Sequence, residues 1–182
     1  MPNYQRAMTK GGTYFFTVVT FQRQKILCEL DIRTALRDGI RATQKIHPFC
    51  IDAWVLLPDH LHCIWTLPLD DANFSVRWAM IKRYVSKECG SKFQHPHGNS
   101  ASKIKRNEST IWQRRFWEHQ IRDEHDYEKH MDYLHFNPVK HGYVSRAADW
   151  PYSTLLRLIQ EGVYDKNWGW DNSVDMDDTF GE

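Results

Sequence analysis

Two histidines, His60 and His62, are separated by one residue at the start of an apolar run of strand length. Side chains two residues apart in a strand point to the same face, so both imidazoles project together while Leu61 faces the other way. Imidazole nitrogens are common metal ligands, and this pair could share one divalent ion. The alternative is that both are surface histidines beside the turn at Pro58 and Asp59.

A reacting group and a further ligand are available in the helical segment 127–137. At about 100° per residue, His130, Tyr133 and Asn137 fall on one stripe, with Tyr133 and Asn137 one turn apart. A neighbouring apolar stripe, best assigned to the core, contains Tyr127, Met131 and Leu134. If this helix buries its apolar stripe on a sheet, the phenol of Tyr133 and the carboxamide of Asn137 would face the ion that the two histidines could bind. The alternative is an amphipathic helix in which Tyr133 is half-buried and Asn137 is only a C-cap.

Hydrophobic periodicity predicts the elements that must position these residues. Strands are predicted at 13–20, 49–57, 61–67 and 111–122, and helices at 31–46, 74–89, 123–136 and 153–159. Asp31 is a candidate N-cap, and the third helix should end before Pro138 because the residue preceding a proline avoids the α region. The order predicts an α+β fold, a ferredoxin-like antiparallel sheet with helices packed on it.

The length of 182 residues suits one domain, which we predict over residues 1–162. A mobile basic surface loop is predicted at about 90–110, where the composition turns polar. Residues 163–182 carry a net charge of −5, which leaves +6 on the rest of the chain, so these residues form a predicted acidic C-terminal tail. A mildly basic body can bind a polyanion on one face.

Several function classes are disfavoured by what the sequence lacks. No run of about 18 apolar residues is present, and residues 1–10 lack the apolar stretch of a secretory signal, so we expect no membrane span and a cytoplasmic location. A Gly-rich phosphate loop and a nucleophile elbow are also missing, which gives little support to a sugar or small-molecule enzyme. A structural zinc site joining Cys63 to His60 and His62 is disfavoured because adjacent strand residues face opposite ways.

The chain resembles the REP-associated tyrosine transposases of bacteria, a branch of the single-tyrosine HUH superfamily. His60-Leu61-His62 is similar to the HUH motif, and Tyr133 and Asn137 are similar to its catalytic tyrosine and the metal ligand one helical turn later. Asn137 stands where the broader insertion-sequence transposases commonly carry Gln. Supporting segments occur in the family's order at 11–17, 54–65, 111–122, 132–142 and 149–153.

This resemblance implies an HUH nuclease domain over residues 1–162 that cuts and rejoins single-stranded DNA. A divalent ion, Mg²⁺ or Mn²⁺, held by His60, His62 and Asn137 would bind the scissile phosphate. Tyr133 would attack it to form a 5′-phosphotyrosine and free a 3′ hydroxyl, so strands could be rejoined without ATP. His130, or a water at the metal, is a candidate to help the phenol lose its proton.

The implied partner is REP-type hairpin DNA. Candidate contacts to phosphates or bases are Arg6, Lys10, Arg114, Arg115, Arg122 and Lys140. Each of these could instead be a solvated surface charge. The acidic tail is either a restraint that lies across the basic DNA surface or a disordered solvating segment.

The branch is expected to act as a monomer, with a dimer as the alternative because single-tyrosine transposases often pair. The competing function is a domesticated protein that recognises DNA hairpins without cutting them.

Overall fold

The computed structural model describes residues 9–93 and 110–169. These ranges form a four-stranded antiparallel sheet with helices on both faces. The elements are β1 (Thr13–Val19), α1 (Leu30–Ile46), β2 (Cys50–Leu56), β3 (His60–Thr66), α2 (Phe74–Phe93), β4 (Trp117–Gln120), α3 (Glu124–Lys140) and α4 (Leu155–Gln160).

The strand order β2-β3-β1-β4 confirms the predicted α+β class. β2 and β3 form a hairpin, β1 pairs with β3, and β4 pairs with the other side of β1, all antiparallel. This is the ferredoxin-like order, in which two βαβ halves interleave their strands. Among the described helices, none combines the length and the apolar composition needed to cross a lipid bilayer.

Alternation along the strands builds two separate cores. Tyr14, Phe16 and Val18 of β1 point to one face and pack with α1 and α2. Phe15 points to the other face and packs against α3 with its neighbours from β2 and β3. Because successive side chains of a strand point to opposite faces, a continuous run of apolar residues contributes to the cores on both faces of the sheet. The second face carries the predicted metal ligands.

The third helix runs further than the sequence predicted. α3 continues through Pro138 to Lys140, where we expected it to end before the proline. Pro138 lies in the last turn, so it deletes one backbone hydrogen bond without interrupting the helix, and His141 N–H still donates to the carbonyl of Asn137 at 3.0 Å. Asn137 therefore lies inside the helix, and the interpretation of this residue as a C-cap is wrong.

Other predicted boundaries also change. α1 begins at Leu30 with Glu29 as its N-cap, so Asp31 belongs to the first turn. The fourth strand covers Trp117–Gln120 rather than 111–122, because the chain meets β1 at one bridge, Thr20 with Trp112, and then leaves its edge. α2 extends to Phe93, so its last turn takes up the first residues of the predicted loop.

The first residues of the predicted acidic tail pack on α3. Tyr164 donates a hydrogen bond from its hydroxyl to Asp132 at 2.8 Å, and its ring lies 4.7 Å from that of Trp168. The folded body therefore extends past residue 162 to at least residue 169. Most of the predicted basic loop, the rest of the tail and Arg6 lie outside the described residues.

The segment between α3 and α4 crosses the outer edge of β2. Leu56 N–H donates to the carbonyl of Tyr152 at 2.8 Å, and Thr154 N–H donates to the carbonyl of Trp54 at 2.9 Å. Tyr152 packs against the core on the α1 face, whereas Trp150 before it and Leu158 of α4 after it belong to the core on the α3 face.

Candidate active site

The two histidines of the β2–β3 hairpin occupy the first and third positions of β3. His60 and His62 are 1% and 0% exposed, so the interpretation of both as surface histidines is wrong. Their ring centroids are 4.9 Å apart, on the face covered by α3. Leu61, between them, packs into the opposite core. The alternation predicted from the spacing is thus confirmed.

Each imidazole is oriented through its Nδ1 atom. The Asp59 carboxylate lies 2.8 Å from Nδ1 of His60, and the Thr17 hydroxyl lies 2.9 Å from Nδ1 of His62. Partners of this kind fix the ring and leave Nε2 as the coordinating nitrogen. Among the described residues, none hydrogen-bonds to the buried Nε2 of His60. The donor set and its orientation fit a divalent metal.

Asp59 carries a negative charge at neutral pH. Burial raises the pKa of its carboxyl, but hydrogen bonds and charge from His60 and Arg23 outweigh burial and lower the pKa to about 2. Arg23 lies 3.1 Å from the second carboxylate oxygen. A carboxylate held in this way favours the His60 tautomer with its proton on Nδ1.

α3 brings the tyrosine stripe against this pair. The Tyr133 ring lies 5.3 Å from His62, and the ring of His141, the C-cap residue that follows α3, lies 5.1 Å from His60. Asn137 is one turn after Tyr133 on the same stripe and is fully buried. The C-terminal half of α3 and the residue that follows it therefore lie against both histidines.

Tyr133 is more enclosed than a cleft-edge residue would be. Its side chain is 1% exposed, and the interpretation of a half-buried tyrosine is wrong. Phe15 packs beneath it at 6.0 Å, and the Lys140 Nζ lies 5.0 Å from the ring centroid on a cation–π contact.

His130 belongs to a separate network at the start of the stripe. Its Nδ1 lies 2.7 Å from the carbonyl of Asp126, and its ring stacks on His119 at 4.5 Å. Burial lowers the pKa of His130, so the ring is neutral at pH 7. Its part in deprotonating the tyrosine stays a prediction.

A second group of possible metal ligands lies in this network. One ligand atom each from His119, Asp126 and His130 falls within 4.8 Å of the others. The Asp126 carboxylate, however, already has the Arg122 Nε at 3.1 Å and the His119 Nε2 at 2.8 Å. A carboxylate neutralised by a guanidinium is a poor ligand, so we assign the network to holding the start of α3 in place.

Comparison with known proteins gives the family. No protein-family model matches the chain. A REP-associated tyrosine transposase of Escherichia coli strain K12 is 43% identical over 171 residues, which cover 94% of this chain and 93% of that protein. The chain belongs to the REP-associated tyrosine transposases.

Two further comparisons agree with this membership. A relative from Haemophilus influenzae is 41% identical over 169 residues, covering 93% of this chain and 94% of its own. A solved REP-associated tyrosine transposase bound to a REP hairpin is 42% identical, covers 100% of this chain with 98% of its own, and gives a TM-score of 0.82. The family and the fold are thereby shared along the whole chain.

The basic residues predicted to contact DNA separate into two groups in this transposase family member. The stretch with Arg114 and Arg115 leaves β1 beside Val19, which pairs with His60. Lys140 is adjacent to His141, whose ring contacts His60, so it lies at the same end of the sheet. Lys10 and Arg122 lie at the opposite end, next to Thr13. That end is separated from His60 by the length of β1, roughly 20 Å at 3.3 Å per residue.

The residues that orient the histidines are not identified from local sequence patterns. Thr17 is the direct cross-strand partner of His62, and this pairing becomes visible only once the β1–β3 register is known. Asp59 was assigned to a turn, although its position next to His60 was a usable signal. Phe15, whose ring contacts those of His62, His130 and Tyr133, was assigned only to a strand.

Proposed function

We propose that this chain is a metal-dependent endonuclease and strand transferase for single-stranded DNA, acting through a 5′-phosphotyrosine on Tyr133. The observation that carries the proposal is the position of α3, where Tyr133 contacts His62 while His141, just past the last residue of the helix, contacts His60. A nucleophile, an amide and two oriented imidazoles then converge on one buried face.

His60, His62 and Asn137 would hold Mg²⁺ or Mn²⁺ through two Nε2 atoms and an amide oxygen. The ion would supply Lewis-acid stabilisation of the charge that develops on the phosphate oxygens. Asp59 and Thr17 support this assignment, because they orient the two rings from the opposite nitrogens. The buried Nε2 of His60, which has no hydrogen-bond partner among the described residues, supports it further.

Tyr133 would act as the nucleophile. The phenol gives its proton to water, its oxygen forms a bond to phosphorus, and the bond from phosphorus to the 3′ oxygen breaks. The 3′ oxygen takes a proton from water and leaves as a 3′ hydroxyl. Since one phosphodiester replaces another, the reverse attack by a 3′ hydroxyl rejoins strands without an energy source. The ammonium of Lys140 over the phenol ring would stabilise the tyrosine as it loses its proton.

REP-type DNA hairpins are the proposed substrate. The relative in the solved structure is bound to a REP hairpin, and it matches this chain over its full length. Arg114, Arg115 and Lys140, at the His60 end of the sheet, are suited to contact the phosphates around the cut. α3 packs on β3 of the same chain, an arrangement that suits action as a monomer.

A covalent-adduct assay tests the proposal. End-labelled REP hairpin DNA is incubated with the chain in Mn²⁺ and resolved on a denaturing gel. A protein-linked band should form with the wild type and with Tyr127→Phe, a matched change on the same helix, and disappear with Tyr133→Phe. Hairpin binding by the wild type without adduct or cut product in Mn²⁺, and again in Mg²⁺, would favour the binding-only function instead.

A further inference from the structure

A groove lies between α1 and the segment that crosses the edge of β2. Arg33, Arg37 and Arg41 recur every fourth residue of α1 and line one wall, while Trp54 and Tyr152 line the other. The cavity volume is about 510 Å³, and no acidic residue is among those that line it. The groove is therefore positively charged along its length.

These charges are available to a ligand. Arg37 and Arg41 are exposed, and neither takes part in an ion pair within the described ranges. Arg33 is held in place, since its Nε donates to the carbonyl of Cys28 at 3.0 Å and its guanidinium lies 4.7 Å above the Tyr152 ring. A row of guanidinium groups next to aromatic rings suits a chain of phosphates that carries flat bases.

A series of rings connects this groove to the active site. From His60 the ring centroids step to His141 at 5.1 Å, to Tyr143 at 6.1 Å, to Trp150 at 5.4 Å and to Tyr152 at 5.6 Å. His141 is exposed and the next three rings are half-buried, so their edges reach the surface. The series follows the chain around the edge of β2, from the α3 face to the α1 face.

We propose that this groove is a second DNA-binding surface. In this arrangement, unpaired DNA flanking the hairpin leaves the active site along the ring series, and its phosphates lie against Arg37 and Arg41. The inference rests on the proposed function for the identity of the ligand as DNA. Its own evidence is the arginine stripe and the continuity of rings from His60 to Tyr152.

The test compares two DNAs in EDTA, so that binding is read without cutting. The probes are the REP hairpin of the solved relative with ten unpaired nucleotides on each side and the same hairpin with a blunt stem, each labelled with fluorescein for anisotropy. The variant is Arg37→Ala with Arg41→Ala. Arg83→Ala, an exposed arginine of α2 outside the groove, is the matched control, and Arg37→Lys with Arg41→Lys retains the charge.

The alanine pair should weaken binding of the flanked hairpin about tenfold and leave the blunt hairpin unchanged. With two phosphate contacts to a single strand removed, the slope of log K against log salt should become shallower by about 1.4. The lysine pair should keep most of that slope, and Arg83→Ala should resemble the wild type. Melting temperatures confirm that the variants are folded.

Three outcomes would overturn the groove assignment. Equal loss on the flanked and blunt hairpins would move the contact to the stem, and no loss on either would remove DNA from the groove. Unchanged DNA binding together with lost binding to phosphatidylserine vesicles would assign the groove to a membrane surface. The proposed function is judged separately. If binding of the flanked hairpin depends on Arg37 and Arg41 but no covalent adduct forms on Tyr133, only the proposed cleavage is refuted. If the adduct forms but binding does not depend on these arginines, only the groove assignment is refuted.

Discussion

The hydroxyl of Thr17 lies 2.9 Å from Nδ1 of His62, directly across the β1–β3 ladder. Thr17→Val keeps the shape of the side chain but removes this contact, so the imidazole can rotate and change tautomer. We expect a loss in Mn²⁺ affinity of about tenfold to a hundredfold, the usual effect of removing such a partner.

Thr17→Ser should retain most of this affinity. Thr13→Val is the matched control, because Thr13 makes a hydroxyl contact to Thr66 at the far end of the same strand pair. Binding followed by electron paramagnetic resonance of Mn²⁺ gives a readout independent of activity. Equal affinities for wild type and Thr17→Val would show that Thr17 does not orient a ligand.

The ring of Phe15 packs beneath the side chains of the candidate site. It is fully buried and contacts the rings of His62, His130 and Tyr133, so Phe15→Ala should lower the free energy of unfolding by about 3–5 kcal/mol. Phe15→Leu should cost less and leave a folded protein that forms the covalent adduct about tenfold more slowly.

Phe16→Leu separates packing from positioning, because Phe16 is equally buried but points into the opposite core. A similar fall in melting temperature with little change in adduct formation is expected. If both leucine variants slowed the adduct equally, the effect of Phe15 would be general destabilisation.

Asp126 makes the free energy of unfolding depend on pH in the acid range. Burial alone would raise its pKa, but hydrogen bonds from His119 and Arg122 outweigh burial and hold the pKa well below its usual range. A carboxyl whose folded-state pKa is depressed stabilises the fold above its unfolded pKa of about 3.9, and this stabilisation is lost as the pH falls below that value. Stability should therefore decline from about pH 5 downwards.

Asp126→Asn should lower the free energy of unfolding at pH 7 by about 2 kcal/mol and flatten this acid limb. Urea unfolding at several pH values measures both effects. Glu128→Gln, an exposed acid on the same helix, should change neither. If the free energy of unfolding of Asp126→Asn fell with decreasing pH as steeply as that of the wild type, Asp126 would not be the source of the pH dependence.

Lys140 should affect the chemical step rather than the fold. Its ammonium lies 5.0 Å from the Tyr133 ring centroid and is exposed, so Lys140→Ala should slow adduct formation by between about twofold and thirtyfold without lowering the melting temperature. Lys140→Arg should retain most of the rate, and Lys129→Ala on the same helix should be neutral. Single-turnover gels measure the rate, and an unchanged rate in Lys140→Ala would remove Lys140 from the reaction.

Local periodicity was enough to predict the face that carries the candidate site. The two-residue period of β3 placed His60 and His62 together, and the helical period placed Tyr133 and Asn137 one turn apart, because both patterns depend only on neighbouring residues. The order of the elements then predicted an antiparallel sheet with helices, which the strand order confirms.

What the sequence did not predict depends on contacts between distant segments. The pairing of Thr17 with His62 needs the strand register, and the groove beside α1 needs the crossing at Tyr152. α3 continues through Pro138 because the one hydrogen bond lost in its last turn is offset by burial of the proline side chain. The conformational preference of the residue before a proline does not include this burial, so it could not predict the longer helix.

The crossing at the edge of β2 has a consequence for assembly. The outward backbone groups of Trp54 and Leu56 already bond to Tyr152 and Thr154, so a second copy cannot extend the sheet by adding a strand there. The opposite edge is β4, which offers only Trp117–Gln120. Short or covered edges protect a sheet from pairing with other chains, so both edges of this sheet are guarded against strand-mediated aggregation.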